Sequence, residues 1–597
     1  MEYDDHGRVY RATNLIDYLA SSTVYNAIVS AYYEYNNDGT LKYEKTSLPS
    51  GGSIRTDYEY DDFLRVTGMS RTSGSFSQNI SYIYYSQNNN TTGLISGYTS
   101  TVNGNQIGFS YAYDSKGNIT TIVDPNNDVT TYTYDDLGQL LSEVKGNVTK
   151  TYTYDNAGNI TSITTRTERQ PLDPDPGFKP IIKAAGTVPT VVTTTKTLSY
   201  SDSQWGDLLT SFDGHSITYD EIGNPLSYYN GTDYTFTWNG RRLVGAVSGS
   251  KTMSFEYNDE GIRTSKTVNG VETTYYVNGG QIVAESNNSR TIVYIYDATG
   301  APIGMMYRAP SYAANTWDVF WYEKNLQGDI IAIYNASGTK VATYTYSDAW
   351  GNHSVSYSNG GGSTGAQYNP FRYRGYYYDS DLGMYYLQSR YYDAKICRFL
   401  NADIYVSTGQ GIIGFNMFAY CRNQSPTRVD DEGTVDQDCV SEDNDLLDES
   451  WEDGKGAGGS AGPSWSGSGG STGTTSSGSG GSTGTTSSGS GSHGAAGTGY
   501  SSFSAFKSAQ GSAGEGYQWH HIVEQCQIKK SNFSANDIHN THNIIRIDNS
   551  THGKISGHYS SKTDYTNGMT VRDWLAGKPY QVQYEYGMSV INKMKGK

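Results

Sequence analysis

The sequence predicts a mainly β protein, in which a long repeat sheet is followed by a flexible linker and a small α+β domain. Three observations carry that expectation. A short unit, aromatic-x-Tyr-Asp followed by Gly-Asn or Gly-x and an apolar residue, recurs through the residues before 368. A Gly/Ser/Thr tract, SGSGGSTGTTS, occupies Ser466–Ser476 and repeats at Ser477–Ser487. From Ser501 onward the chain returns to ordinary globular complexity.

The repeat is clearest at Tyr111–Ile119, Tyr132–Gly138 and Tyr152–Ile160, with further copies at Tyr3-Asp4, Tyr60-Asp61, Tyr219-Asp220 and Tyr296-Asp297. A regular spacing of short units is the mark of a stacked architecture, because one unit cannot bury its own apolar face. Alternating Tyr, Thr and Ile suit a strand, Asp-x-x-Gly suits a turn with Gly at positive φ, and the next apolar run suits the return strand. Tyrosine combines large buried area with a hydroxyl expected to tolerate partial wetting. These tyrosines are therefore read as structure, not as a ligand site. Thr167–Lys196 contains five prolines and is expected to be an excursion from the sheet. The tract Gly454–Gly499 has too few apolar residues to fold and is expected to be a linker, preceded by an acidic joint at Asp436–Asp453.

Composition narrows the function classes. The chain has 597 residues, a net charge of −17 and a mean hydropathy of −0.61. No stretch approaches the ~20 apolar residues that span a bilayer, so no transmembrane segment is expected. The first residues lack a basic start and an apolar core, so no signal peptide is expected. The four cysteines show no CxxC pairing, which argues against a disulfide framework or a zinc ribbon. Charge is uneven: Gly497–Lys597 is net positive, and six of the ten histidines lie between His520 and His558. A basic, His-rich tail on an acidic body points to two jobs in one chain, the tail being suited to a polyanion.

Tyr368–Asp403 reads YNPFRYRGYYYDSDLGMYYLQSRYYDAKICRFLNAD, followed by YVSTGQGIIGFNMFAYC and RNQSPTRVDDEG. This run resembles the core-associated region of RHS/YD-repeat proteins, and the upstream Tyr-Asp units extend the resemblance over most of residues 1–433. The resemblance implies a β-sheet spiralling into a shell, here a partial cocoon, around a C-terminal toxin. It divides the chain into repeats at 1–367, a core-associated segment at 368–433, joint and linker at 434–500, and a toxin domain at 501–597. It also implies autoproteolytic release after the core. The family's usual Asp-Pro-x-Gly is replaced here by Asp430-Asp431-Glu432-Gly433, and Asp403, Asp430 and Asp431 are the carboxylates that could act as a proton-sharing pair. An Asp-x-x-Gly stretch is equally an ordinary turn.

In the last domain, YQWHHIVE at 517–524 is followed by Asn543 in THNIIRID and His552 in STHGKIS. A His-His pair on one strand, an Asn opening a second, and a His nine residues later resembles the HNH/WHH branch of ββα-metal nucleases. Neighbouring strand residues point to opposite faces, so both rings reach one site only through a bend or bulge. The expected order is a strand over 543–547, a turn at 548–550, and a helix from His552 capped by Ser550 or Thr551. The resemblance implies that His520 and His552 ligate one divalent cation (Mg, Mn, Ni or Zn), that His521 is the general base, and that Asn543 braces the loop and orients His521. His558, six positions after His552, falls about 240° round the helix and is expected to diverge. His539 and His542 are expected on the connecting loop, solvated or facing phosphate. Lys529, Lys530, Arg546, Lys554 and Lys562 are candidate phosphate contacts, and equally ordinary surface charges.

The resulting expectation is an RHS polymorphic toxin whose tip is a metal-dependent endonuclease, with DNA favoured as substrate. A cognate immunity protein and either a secretion apparatus or an upstream RHS chain are the implied partners. The toxin would be secreted or surface-delivered and act in the target-cell cytoplasm. The competing expectation is a cell-surface binding or structural repeat protein with an inactive tip.

Overall fold

The computed structural model describes residues 2–4, 8–20, 23–87, 90–169, 190–313, 315–358, 365–404, 413–430, 433, 437–438, 500, 503, 506–507, 517–525, 527–531, 533–534, 538–541, 543–562, 569–576, 578 and 580–595. The chain divides into two compact units, Met1–Ser464 and Trp465–Lys597. The Gly/Ser/Thr tract and prolines 171–189 lie outside the described residues.

The first unit is built from consecutive antiparallel strands. A 17-stranded sheet runs from Glu2–Tyr3 to His215–Ser216, and a 14-stranded sheet from Thr218–Tyr219 to His353–Tyr357. Both are open. The mainly β repeat architecture expected from the recurring unit is the architecture observed. The strands that flank the Pro-rich stretch, Ile160–Arg169 and Thr190–Ser199, pair with each other, with Arg169 opposite Thr190.

The repeat explains itself atom by atom. In the unit at 155–160, the Asp155 carboxylate accepts the N–H groups of Ala157 and Asn159 through one oxygen (2.9 Å each) and the Asn159 side chain through the other (3.0 Å). Asp114 and Asp135 hold their turns in the same way. Gly117, Gly138 and Gly158 sit at φ of 85°, 86° and 79°, a conformation that disfavours any Cβ. A register shift follows each turn, as at Tyr134–Leu140 and Tyr154–Ile160. The second tyrosine of each unit then donates its hydroxyl to a carbonyl one repeat back: Tyr134 to Ile119 (2.6 Å), Tyr154 to Leu140 (2.6 Å), and Tyr200 to Ile160 (2.9 Å). These hydroxyls were expected only to tolerate partial wetting. The structure instead uses them as repeat-to-repeat links, because a phenol standing off one strand reaches the backbone of the preceding hairpin.

The two sheets pack together within this unit. Phe76 stacks on Trp321 at 5.5 Å, Tyr98 donates to the Lys324 carbonyl (2.9 Å), and Arg71 pairs with Asp297 (3.1 Å). The segment from Ala366 to Asp430 adds a four-stranded sheet and lies in the same core. Its Asp379 pairs with Arg263 at 2.7 Å, both side chains 0% exposed, and its Asp393 accepts from Tyr228 and Asn230. Its Asn416 and Asn423 reach back to Asn159 and Gln139, the residues that close the repeat turns.

The second unit pairs Tyr517–His521 with Ile544–Asp548 and packs helices Asn549–Ser560 and Tyr580–Lys595 on a core of Ile522, Ile547, Ile555, Tyr559 and Ile591. Gly587 is required there, since a Cβ would fall on the Ile522 carbonyl.

Tyr154→Phe should destabilise the repeat body by about 1 kcal/mol, the usual worth of one hydrogen bond. Asp155→Ala removes three acceptor contacts and should cost about 3 kcal/mol. Urea unfolding of the two variants checks the order; equal effects would show that the hydroxyl link and the turn are one feature.

Candidate functional site

Strand alternation places the two adjacent histidines of the second unit. The pairing of Tyr517–His521 with Ile544–Asp548 is regular from end to end, with His520 opposite Ile545 and His521 opposite Ile544. The bend or bulge that would turn both rings to one point is absent from this pairing. Their ring contacts accordingly differ.

His520 meets His552. The rings are perpendicular with centroids 5.1 Å apart. His552 reaches this position because it shares a helical stripe with Ile555 and Tyr559, three and seven residues on, both buried in the core. The helix begins earlier than expected, at Asn549, because the Asp548 side chain at the strand end accepts the Thr551 N–H directly (2.9 Å) and no separate turn intervenes. Burial, with His552 as a second cause, pushes the His520 ring down to about 4, so it is neutral at pH 7. Its Nε2 is buried without a hydrogen-bond partner. An unsatisfied lone pair or N–H at that depth is costly, and a cation held between the two rings would satisfy it. Among the described residues no three His, Cys, Asp or Glu side chains converge on one point.

His521 meets His539. Its Nε2 lies 3.0 Å from His539 Nδ1, and Phe503 packs on its ring at 4.5 Å. Burial pushes its pKa down to about 3, with His539 and His520 adding to the shift. His539, expected to be solvated or phosphate-facing, is instead buried at 3% exposure. The reason is the fold of the connecting loop, which Asn543 ties down. Asn543 is fully buried, accepts from Val523 N–H (2.8 Å), and donates to the carbonyls of Val523 (3.0 Å) and Ile538 (2.9 Å). No motif spacing singles out His539; only the position of Ile538 beneath Asn543 does.

The other expected residues scatter. His558 Nε2 contacts the Tyr586 hydroxyl at 2.8 Å, away from the pair. Glu524 takes a bidentate ion pair from Arg572, both bonds 2.7 Å, an interaction that no local sequence pattern announces. Lys530 is paired with Asp573, Arg546 lies over the Tyr517 ring at 3.9 Å, and Lys554 and Lys562 are exposed. The Lys529 side chain, Cys526 and His542 lie outside the described residues.

A second convergence lies in the first unit. Arg390 pairs with Asp403 (2.7 Å) and lies 3.8 Å from Asp430, all three buried. The Gly433 carbonyl accepts from Arg390 Nε and from Ser389 Oγ (3.0 Å). Gly433 has φ 74°, and a Cβ there would come 2.7 Å from the Leu387 carbonyl. Asp431 lies outside the described residues.

Residues 113–147 match the RHS repeat family model. The chain is 30% identical over 229 residues to the tRNA3(Ser)-specific nuclease WapA of Bacillus spizizenii, covering 38% of this chain and 9% of that protein. It is likewise 30% identical over 233 residues to the tRNA nuclease WapA of Bacillus subtilis, covering 38% and 9%. The chain thus spans about a tenth of the length of these curated relatives. Among solved structures, the TcdB2–TccC3–Cdc42 crystal structure is similar at 17% identity and TM-score 0.47, over 72% of this chain and 23% of that one. No helix among the described residues is long and apolar enough to cross a membrane.

Asn543→Ala should loosen the loop rather than the helices. Losing three buried side-chain hydrogen bonds costs about 3 kcal/mol. Hydrogen-exchange mass spectrometry should show deprotection over 517–525 and 538–545 first; unchanged exchange there would mean the amide is not the brace.

Proposed function

We propose that the chain is an RHS-type nuclease toxin whose terminal unit hydrolyses phosphodiester bonds with a divalent cation. The observation that carries the reading is the buried, unpartnered Nε2 of His520 facing the His552 ring. His520 and His552 would hold the cation (Mg, Mn, Ni or Zn) through neutral ring nitrogens. When bound, it would polarise the phosphate and neutralise charge on the leaving 3′ oxygen. His521 is the proposed general base; burial keeps its ring neutral but weakly basic here, and its basicity must rise as it turns from His539 to water. To act, it must exchange its hydrogen bond to His539 for one to the attacking water and turn its ring toward the cation's face, a bend at the strand end that the regular pairing does not supply. Asn543 supports both strands of the site by fixing the loop between them. Arg546, Lys554 and Lys562, exposed on the same unit, and Lys529 and Lys530 would meet substrate phosphates.

DNA is the substrate that the motif resemblance favours. The tRNA nucleases among the relatives make tRNA the second substrate to assay. The reading carries with it an immunity protein in the producer, export through a secretion apparatus or an upstream RHS chain, and action in the target-cell cytoplasm.

Release is proposed as a second reaction. It is favoured by the Gly433 carbonyl, held by Arg390 and Ser389 beside two buried carboxylates. One of Asp403 and Asp430 would activate water against the Gly433–Thr434 carbonyl carbon while the other passes a proton to the leaving amine. Asp431 takes the place of the proline usual in the resembled motif.

Full-length protein nicking plasmid or cleaving tRNA only with added metal would support the nuclease reading. His521→Ala should then lower the rate by about 10²–10⁴ with metal binding kept, while His520→Ala and His552→Ala should weaken metal binding by calorimetry. Cleavage unaffected in all three variants would remove the site from the proposal. For release, intact-mass measurement should show two fragments from the wild type and a single 65.4 kDa species from Asp430→Asn; an uncleaved wild type would end that part.

A further inference from the structure

We propose that Glu143, Lys150 and Asp348 form a proton-set latch between the two large sheets, tight in mild acid and slack above neutral pH. Glu143 and Lys150 are cross-strand partners in the first sheet, on strands Leu140–Lys145 and Val148–Tyr154. Asp348 lies just beyond strand Lys340–Tyr346 of the second sheet. The cluster is therefore a seam, and its neighbours repeat the crossing: Lys145 donates to the Tyr346 carbonyl (3.2 Å), and Tyr152 packs edge-on against Trp350 at 5.6 Å.

Charge in the seam does not balance. Two carboxylates face one ammonium. Asp348 is saturated with donors: Lys150 Nζ at 2.5 Å, the Asn352 side chain at 2.8 Å, and the N–H groups of Trp350 and Asn352 at 3.1 Å. Glu143 receives only neutral donors, the Tyr152 hydroxyl (2.7 Å) and the Ala349 N–H (2.8 Å). The other titratable groups facing the cluster are Tyr132, Tyr392, Cys397 and His353; burial holds all four neutral, the His353 ring pushed down to about 4. Lys150 thus neutralises Asp348, and the unmatched charge falls on buried Glu143. A proton there removes it.

The direction of the pH effect follows. Burial, then Asp348, push Glu143 from 4.5 up to about 7. A carboxyl raised in the folded state binds a proton that the unfolded chain has already lost. Its contribution is complete below about pH 4.5 and is lost as pH rises through about 7. This is opposite to the usual salt-bridged carboxylate. A second seam cluster, Glu44, Asp297, Arg71 and Lys324, sets two cations against two carboxylates. It supplies a background that a comparison at each pH subtracts.

Hydrogen-exchange mass spectrometry of the full chain between pH 5 and 8.5 tests the latch, read on peptides covering 140–154 and 341–352 and corrected for intrinsic exchange. Wild-type protection there should fall by up to about tenfold per pH unit between pH 5 and 7. Glu143→Gln, a neutral isostere of the protonated acid, should match wild type at pH 5 and exceed it at pH 8. A variant that tracks wild type at pH 8, or that is already less protected at pH 5, overturns the latch. The wild-type profile also decides alone, since seam protection that stays flat or rises from pH 5 to 7 overturns the proposal without any variant.

Discussion

A phenol hydroxyl donated to the backbone of the preceding repeat is the interaction on which the large unit depends. Tyr60 reaches the Leu41 carbonyl, Tyr84 that of Val66, Tyr113 that of Ile95, and Tyr257, Tyr296 and Tyr346 those of Leu243, Ile282 and Ile330, all at 2.6–2.9 Å. The acceptor is the apolar residue that follows Gly-x in the motif, or its equivalent. Every residue of the unit thus has its own atom-level role. Tyr donates, Asp gathers the turn's N–H groups, Gly takes positive φ, Asn or Gln closes the Asp, and the apolar residue offers its carbonyl while filling the core. A hairpin by itself is marginal. A link of about 1 kcal/mol repeated from hairpin to hairpin makes the sheet a cooperative stack.

A second set of tyrosine hydroxyls explains why so much charge can sit inside. Inward-facing glutamates are each met by a tyrosine hydroxyl: Glu44 by Tyr58 (3.0 Å), Glu143 by Tyr152 (2.7 Å), Glu285 by Tyr294 (3.0 Å) and Glu323 by Tyr334 (2.7 Å). A hydroxyl satisfies a buried carboxylate without adding a second charge, so the neutral acid and the anion both remain possible. Full ion pairing of buried groups appears where the two sheets meet, as at Arg71–Asp297, and where the segment 366–430 meets them, as at Arg263–Asp379. Buried pairs of that kind are weak sources of net stability. Here they coincide with the points where the sheets and that segment meet.

The repeat body was legible in the sequence because its signal is periodic and each unit is locally self-consistent. Leu64 shows how strongly: it occupies the turn position at φ 62° where other units have Gly, and Asp61 still accepts from Phe63 and Arg65. The sheet-to-sheet contacts were not legible. Glu143 and Asp348 lie 205 positions apart, and nothing in either local pattern points to the other. In the terminal unit, residues at motif spacing were legible, and so was the divergence of His558. Asp548 as the helix cap was missed because its strand runs straight into the helix. His539 was missed because its place follows from the loop that Asn543 folds, not from any spacing to His521.

The alternation of His520 and His521 carries the chemistry further than the motif does. Two adjacent histidines on a regular strand cannot share one ligand sphere, so the proposed cation ligand and the proposed base face different sides of the strand. The His520 face, with His552 and an unsatisfied Nε2, is suited to a cation. The His521 face, with His539 at 3.0 Å and Phe503 against the ring, is suited to hold a neutral imidazole, one of the two rings donating and the other accepting. Burial keeps both rings neutral, which leaves a lone pair free for a ligand and at the same time weakens His521 as a proton acceptor until it is opened to water. What the strand separates, Asn543 rejoins, because its three hydrogen bonds fix the loop that carries His539 to the end of the strand that carries both histidines. The motif's asparagine is therefore the residue through which the two faces are held in register.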